Sequence, residues 1–108
     1  LGIYANQAEW FKPQVKKKNA TAAEKRHMDR VASLGCIACQ VDGYEDTPAC
    51  IHHIDRRRDH MRVLPLCPYH HQDGGYGFAI HAGRPIWVER YGTEEDLLAL
   101  VMEQVGVV

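Results

Sequence analysis

The feature that most constrains the fold is a pair of short metal-binding motifs. Cys36-x2-Cys39 and Cys67-x2-His70 are separated by 27 residues. Two such motifs can fold into one tetrahedral site of three thiolates and one imidazole, which are the ligands that structural zinc prefers. A zinc ion would join two distant segments of a 108-residue chain, and a domain this small gains much from such a staple.

Cysteine usage also bears on the cellular compartment. The chain has four cysteines and seven histidines, and this mixture favours metal binding in a reducing compartment over the disulfides of a secreted mini-protein. We therefore expect a cytoplasmic protein. Cys50 lies outside both motifs, on the strand face that it shares with His52. We expect it to be a buried apolar residue, the alternative being that it replaces His70 as a ligand.

The charge distribution is uneven although the formal net charge is only −1. Lys12 to Arg30 is mostly basic, and the stretch from Glu89 onward is mostly acidic. Net charge therefore does not exclude nucleic acid as a partner. No apolar run approaches the roughly 18 residues of a membrane span, and no signal peptide is visible.

The chain is predicted to contain one domain, at residues 20–108, preceded by an irregular arm at residues 1–19. The arm is either a solvated tail or a segment that contacts DNA. Its basic cluster is Lys16, Lys17 and Lys18.

Periodicity and capping signals predict an α+β fold. Thr21 and Glu24 have the spacing of a capping box, and Gly35 ends the helix that they begin. The predicted elements are a helix at 22–34, strands at 49–55, 63–66 and 85–89, a short helix after Pro68, and a final helix at 94–104.

A second set of histidines suggests catalysis. Adjacent strand residues point to opposite faces, so one of His52 and His53 can bind a metal while the other does acid–base work. His71 is about 100° from His70 around a helix and can face a different metal. His81 can fold back as a further ligand, the alternative being a surface histidine. A metal with an open position and one general-base histidine suffice for phosphodiester hydrolysis.

Arginines follow the histidine pair directly. Arginine binds phosphate through its bidentate guanidinium group, so this connection is a candidate DNA contact, the alternative being a solvated turn. No segment has the character of a base-reading helix, so we expect little sequence specificity. The arginines are Arg56, Arg57, Arg58 and Arg62.

Taken together, these motifs resemble the HNH (ββα-metal) endonuclease superfamily, and more narrowly the phage Ref family of RecA-dependent nucleases. The segments that carry the resemblance are Cys36-x2-Cys39, Ile51-His52-His53-Ile54, Leu64 to His71, Ala79-Ile80-His81 and Glu89-Arg90-Tyr91-Gly92.

The resemblance implies a zinc-stabilised ββα-metal core with flanking helices. It implies that His52 and His71 hold a catalytic cation, Mg²⁺ or another divalent metal, and that His53 is the general base. Many HNH members have asparagine where this chain has Arg62-Val63. Either another group, such as a backbone carbonyl, takes the orienting role of that asparagine, or His81 rearranges the site.

The resemblance further implies a phage-encoded protein that acts in a bacterial host. Its partner would be a RecA filament on DNA, and its product a strand break near that filament. The alternatives are a non-catalytic zinc module that binds DNA or protein, and a recombination accessory protein whose nuclease site has decayed. His53 discriminates between these readings, since a structural module has no need of a histidine beside a metal that it does not bind.

Overall fold

The computed structural model describes residues 19–55 and 59–106. The fold is α+β, as predicted. Its helices are α1 (Ala22–Ser33), α2 (Ile37–Val41), α3 (Arg84–Tyr91) and α4 (Glu94–Val105), its strands are β1 (Cys50–His53) and β2 (Val63–Leu66), and it has a π-helical turn at Tyr69–Asp73 and a 3-10 turn at Ile80–Ala82. The predicted arm, residues 1–19, lies outside the described residues except for Asn19.

Helix α1 begins at the predicted capping box. The Thr21 hydroxyl accepts a hydrogen bond from the Glu24 backbone N–H at 3.1 Å, and the Glu24 carboxylate accepts one from the Thr21 N–H at 2.8 Å. These bonds satisfy two of the amide groups that a helix start leaves without partners. Gly35, with φ of 82°, follows the helix in the left-handed region that glycine adopts without strain.

The two strands form an antiparallel pair in which Cys50 lies opposite Leu66 and His53 lies opposite Val63. All four residues of β2 are buried, and β2 contacts helices α1, α2 and α4. Strand β1 is shorter than the predicted 49–55 and only partly buried. Strand β2 is therefore the centre of the core, and β1 carries the histidine pair along one side of it.

The predicted strand at 85–89 is wrong, because this segment lies within helix α3. Pro85 occupies the first turn, where a missing N–H leaves no helix bond unmade. Trp87 and Tyr91, four residues apart on one helix face, are both buried. The Trp87 indole N–H also donates to the Phe78 carbonyl at 3.1 Å. Packing of this aromatic face outweighs the β-propensity of the β-branched and aromatic residues in the segment.

Helix α4 confirms the final predicted helix. The Thr93 hydroxyl accepts from the Asp96 N–H at 3.0 Å, and Gly106 ends the helix with φ of 81°. Leu97, Leu98 and Val101 are buried on its inner face. Within residues 19–55 and 59–106, no helix is long and apolar enough to cross a bilayer.

Candidate metal centres and active site

Three thiols and one imidazole converge in the interior. The Nδ1 atom of His70 lies 3.6 Å from the Sγ of Cys36, 3.4 Å from that of Cys39 and 3.3 Å from that of Cys67. The Sγ atoms of Cys39 and Cys67 are 3.8 Å apart. All four residues are buried, and every cysteine of the chain is free of disulfides. The sequence motifs therefore meet as one Cys₃His cluster.

Local structure brings these four side chains together. Cys36 is the N-cap of α2, and its sulfur accepts a hydrogen bond from the Cys39 N–H at 3.4 Å. Cys67 follows the last residue of β2, and His70 lies in the wider π-helical turn that comes next. The cluster therefore joins the start of one helix to the end of the central strand.

The geometry fits a tetrahedral metal such as zinc. Ligand sulfurs at about 2.3 Å and a nitrogen at about 2.0–2.1 Å from one zinc lie about 3.5–3.8 Å from each other, close to the separations in the cluster. Burial raises the pKa of the Cys36 thiol to about 12, so its thiolate needs a cation beside it. A bound cation would supply that charge, because metal binding and thiol deprotonation are coupled.

Two residues outside the motifs contact the remaining nitrogen of His70. Its Nε2 lies 3.1 Å from the Tyr91 hydroxyl, which donates a hydrogen bond to the Asp42 carboxylate at 3.1 Å. Burial, together with Asp42, raises the pKa of Tyr91 to about 12, so the hydroxyl stays protonated. Since Tyr91 donates to Asp42, it can accept from His70 Nε2–H, which leaves Nδ1 as the nitrogen that faces the thiols.

A second cluster is formed by His52, His71 and His81. One ring nitrogen from each lies within 4.8 Å of the others, and the Nε2 atoms of His71 and His81 are 3.0 Å apart. His52 is buried and His81 is exposed, so the cluster is reachable from solvent on one side. The sequence prediction that these three histidines lie together is consistent with this geometry.

Burial lowers the pKa of His52 and of His71, and for His71 the neighbouring histidines lower it further. These two imidazoles are therefore held in the neutral form, which is the form that binds metals. Three closely spaced histidines with one exposed member can hold a cation and leave a coordination position for a substrate or water.

An acidic residue completes the buried side of the histidine cluster. The Oε2 of Glu94 lies 2.7 Å from the Nε2 of His52, and the other carboxylate oxygen accepts from Arg84. Glu94 is the first residue of α4 and its side chain is only 12% exposed. Helices α3 and α4 thus each send a charged side chain toward the histidines.

His53 lies on the other face of β1 from His52, as predicted. It belongs to neither metal-binding cluster. Its Nε2 lies 3.1 Å from the Nδ1 of His60, which is half-buried in the connection between the strands. One of these nitrogens must donate and the other accept, so the contact fixes the ring orientation of His53 relative to His60.

Of the predicted DNA-contacting residues, only Arg62 is among the described residues. Its guanidinium pairs with Glu95, and its Nε lies 3.8 Å from the Asp55 carboxylate. Because these contacts lie at the surface, they are weak enough to exchange for phosphate. The others, Arg56, Arg57, Arg58, Lys16, Lys17 and Lys18, lie outside the described residues.

The expectation that Cys50 is buried is wrong. Cys50 is exposed at the start of β1 and lies outside the Cys₃His cluster. It begins the short strand, where the paired residue Leu66 covers only one side. His70 is the fourth member of the cluster, so the alternative in which Cys50 takes its place does not hold.

Comparison with known families bears on the site as a whole. Residues 20–106 match the model of a family described as recombination enhancement, RecA-dependent nuclease. The chain belongs to this family. The match spans both candidate metal clusters and every described helix and strand. The resemblance inferred from the sequence motifs is confirmed at the level of the Ref-like family.

In this member of the family, four polar residues near the clusters were not predicted from sequence. They are Asp42, His60, Tyr91 and Glu94. Tyr91 has the pattern of an ordinary core residue of α3, and Glu94 has that of an acid in the first turn of a helix. Tyr91 also lies in the Glu89-Arg90-Tyr91-Gly92 segment that carries the resemblance, and Glu94 directly follows the N-cap Thr93, but neither signal indicates a histidine partner.

Proposed function

We propose that this chain is a metal-dependent DNA endonuclease of the HNH type, acting in phage recombination. The observation that carries the proposal is the three-histidine cluster with an exposed member, next in sequence to His53, which lies outside both clusters found among the described residues. Membership in a family of RecA-dependent nucleases supports it. The neighbouring strand residues His52 and His53 would then divide metal binding from proton transfer.

His52, His71 and His81 would hold the catalytic cation. An all-imidazole set favours a divalent transition metal over Mg²⁺, which prefers oxygen ligands. When bound, such a cation polarises the scissile phosphate and stabilises the leaving oxygen. The three histidines would hold the cation, and the exposed side of the cluster at His81 would be open to the DNA backbone.

His53 would act as the general base. The imidazole of a histidine can take the proton from an attacking water, and the 3.1 Å contact with His60 restrains the orientation of the His53 ring. Water attack on phosphorus with departure of the 3′ oxygen leaves 5′-phosphate and 3′-hydroxyl ends. The contact with His60 gives His53 the orienting partner that the missing asparagine supplies in many HNH members.

The remaining parts are structural or bind the substrate. Cys36, Cys39, Cys67 and His70 would hold a structural zinc with no open position. The DNA backbone would be bound by the basic residues Lys16, Lys17, Lys18, Arg56, Arg57, Arg58 and Arg62, with Arg62 exchanging Glu95 for phosphate. The partner would be a RecA filament on the DNA.

The proposal is tested by plasmid nicking with Mg²⁺, Mn²⁺, Co²⁺ or Zn²⁺, with and without RecA filaments. We expect His53→Ala to lose about 10²–10⁴-fold of the activity, the usual contribution of a general base, and to keep DNA and cation binding. His71→Ala should lose the second cation and retain the zinc. Gln72→Ala, an exposed neighbour of His71 on the same turn, is the matched control and should cut normally.

Three outcomes contradict the proposal. Nicking by His53→Ala at the wild-type rate would remove the general-base role. Absence of cutting by the wild-type protein with every cation, even on RecA filaments, would favour the non-catalytic zinc module. Retention of two bound metals per chain in His71→Ala would show that the histidine cluster is not a metal site.

A further inference from the structure

Glu94 connects the histidine cluster to two helices. Its carboxylate lies 2.7 Å from the Nε2 of His52, a side chain that is only 3% exposed. Its second oxygen is bound by Arg84 at the start of α3. The carboxylate is therefore held from both sides, and it can move away from His52 only by breaking its ion pair with Arg84.

The position of Glu94 fits a partner of the ligand better than a ligand. The set of atoms that lie within 4.8 Å of one another contains His52, His71 and His81 but no Glu94 oxygen. A carboxylate in the same coordination sphere would lie close to one nitrogen of each of the three rings. Glu94 instead lies 2.7 Å from the Nε2 of His52, which leaves the Nδ1 of that ring for a metal. Metal-binding histidines commonly donate their second ring N–H to a carboxylate, which fixes the ring and strengthens it as a donor.

We propose that Glu94 is a positioning residue for the catalytic cation. It accepts the Nε2–H of His52, presents the Nδ1 of His52 to the metal, and is itself held by Arg84. The inference rests on the proposed function only in calling the cation catalytic. The effect of Glu94 on cation affinity can be tested independently of nuclease activity.

The arrangement also explains why a buried acid and a buried histidine occur together here. The first turn of a helix favours a carboxylate, because its unpaired N–H groups carry partial positive charge. Thr93 caps α4 and so fixes where its first residue points. The start of α4 thereby sets the orientation of a ligand that lies 42 residues earlier in the chain.

The test is a Co²⁺ titration of the zinc-loaded protein, followed by the visible absorption of cobalt at the histidine cluster. We expect Glu94→Ala to weaken Co²⁺ binding by about 10–100-fold, the usual effect of losing such a partner. Glu94→Gln should lose less, because an amide oxygen still accepts the N–H of His52. Asp96→Asn removes the same charge from an exposed site in the same helix turn and should bind Co²⁺ like the wild type.

Each remaining outcome has a clear meaning. Wild-type Co²⁺ affinity in Glu94→Ala overturns the positioning role. X-ray absorption could also show that cobalt loses an oxygen ligand in Glu94→Ala. Glu94 would then be a direct ligand, and the positioning role would be overturned. The positioning role is likewise overturned if Glu94→Ala loses zinc from the Cys₃His cluster as strongly as it loses Co²⁺, because that result would indicate general unfolding. If the wild-type protein binds Co²⁺ but never nicks DNA, the nuclease proposal fails while Glu94 is still tested.

Discussion

At the scale of single residues, His70 shows how one ring can serve two purposes. Its Nδ1 faces three sulfurs, and its Nε2 meets the Tyr91 hydroxyl at 3.1 Å. Both ring nitrogens of His70 therefore have a partner. A metal bound at Nδ1 would require the tautomer with the proton on Nε2, and this is the tautomer that Tyr91 and Asp42 stabilise.

We therefore expect Tyr91→Phe to lower zinc affinity by about 10-fold, since the N–H of His70 would lose its buried acceptor. The measurement is competition with a chromophoric zinc chelator. Tyr44→Phe removes a hydroxyl from a side chain that is 67% exposed, and it should leave affinity unchanged. Equal affinities of Tyr91→Phe and wild type would show that the hydroxyl does not orient the ligand.

The candidate ligands could be predicted from the sequence, whereas the residues that hydrogen-bond to them could not. The spacing within Cys36-x2-Cys39 and Cys67-x2-His70 is a local pattern that is visible in the sequence, and thiolate ligands favour zinc. Tyr91 and Glu94 contact histidines that lie 21 and 42 residues away in sequence. Such contacts are set by how α3 and α4 pack, and a single sequence carries no local signal for them.

At the scale of helices and strands, prediction succeeded where caps or alternation fixed the answer. The capping box of α1 and the N-cap of α4 were visible because they need particular residues at fixed positions. Helix α3 was missed because its composition favours a strand. Its helical form follows from burial of Trp87 and Tyr91 on one face, which only the tertiary structure reveals.

The two N-caps give a matched pair of element-scale variants. Thr21→Ala and Thr93→Ala should each lower the free energy of unfolding by about 1 kcal/mol in urea titrations. Only Thr93→Ala should also weaken Co²⁺ binding at the histidine cluster, because Glu94 is the first residue of that helix. If both variants lose cobalt affinity, or if neither does, the start of α4 does not specifically position the histidine cluster.

At the scale of the whole molecule, stability and the sites share the same buried histidines. Burial lowers the pKa of His52, His70 and His71 below the ordinary value of 6.5. The unfolded chain takes up protons at these residues near pH 6.5, whereas the folded chain does so only at lower pH. Below about pH 6.5 the unfolded state therefore binds more protons, and the free energy of unfolding falls as the pH falls.

We expect the melting temperature of the metal-loaded protein to be lower at pH 5.5 than at pH 7.5, as followed by circular dichroism at constant ionic strength. Bound metals act in the same direction, because protons compete with them for the same nitrogens. A melting temperature that stays constant or rises toward pH 5.5 would contradict a fold that depends on neutral histidines.

The adjacency of His70 and His71 limits how this chain can change in length. The five residues from Cys67 to His71 carry ligands for both clusters. One inserted or deleted residue there would rotate His70 and His71 away from the other members of their clusters, so both clusters would be disrupted together. The loop between α2 and β1 is largely exposed and carries no ligand of either cluster. Insertions among homologues should therefore collect in that loop and be absent between Cys67 and His71.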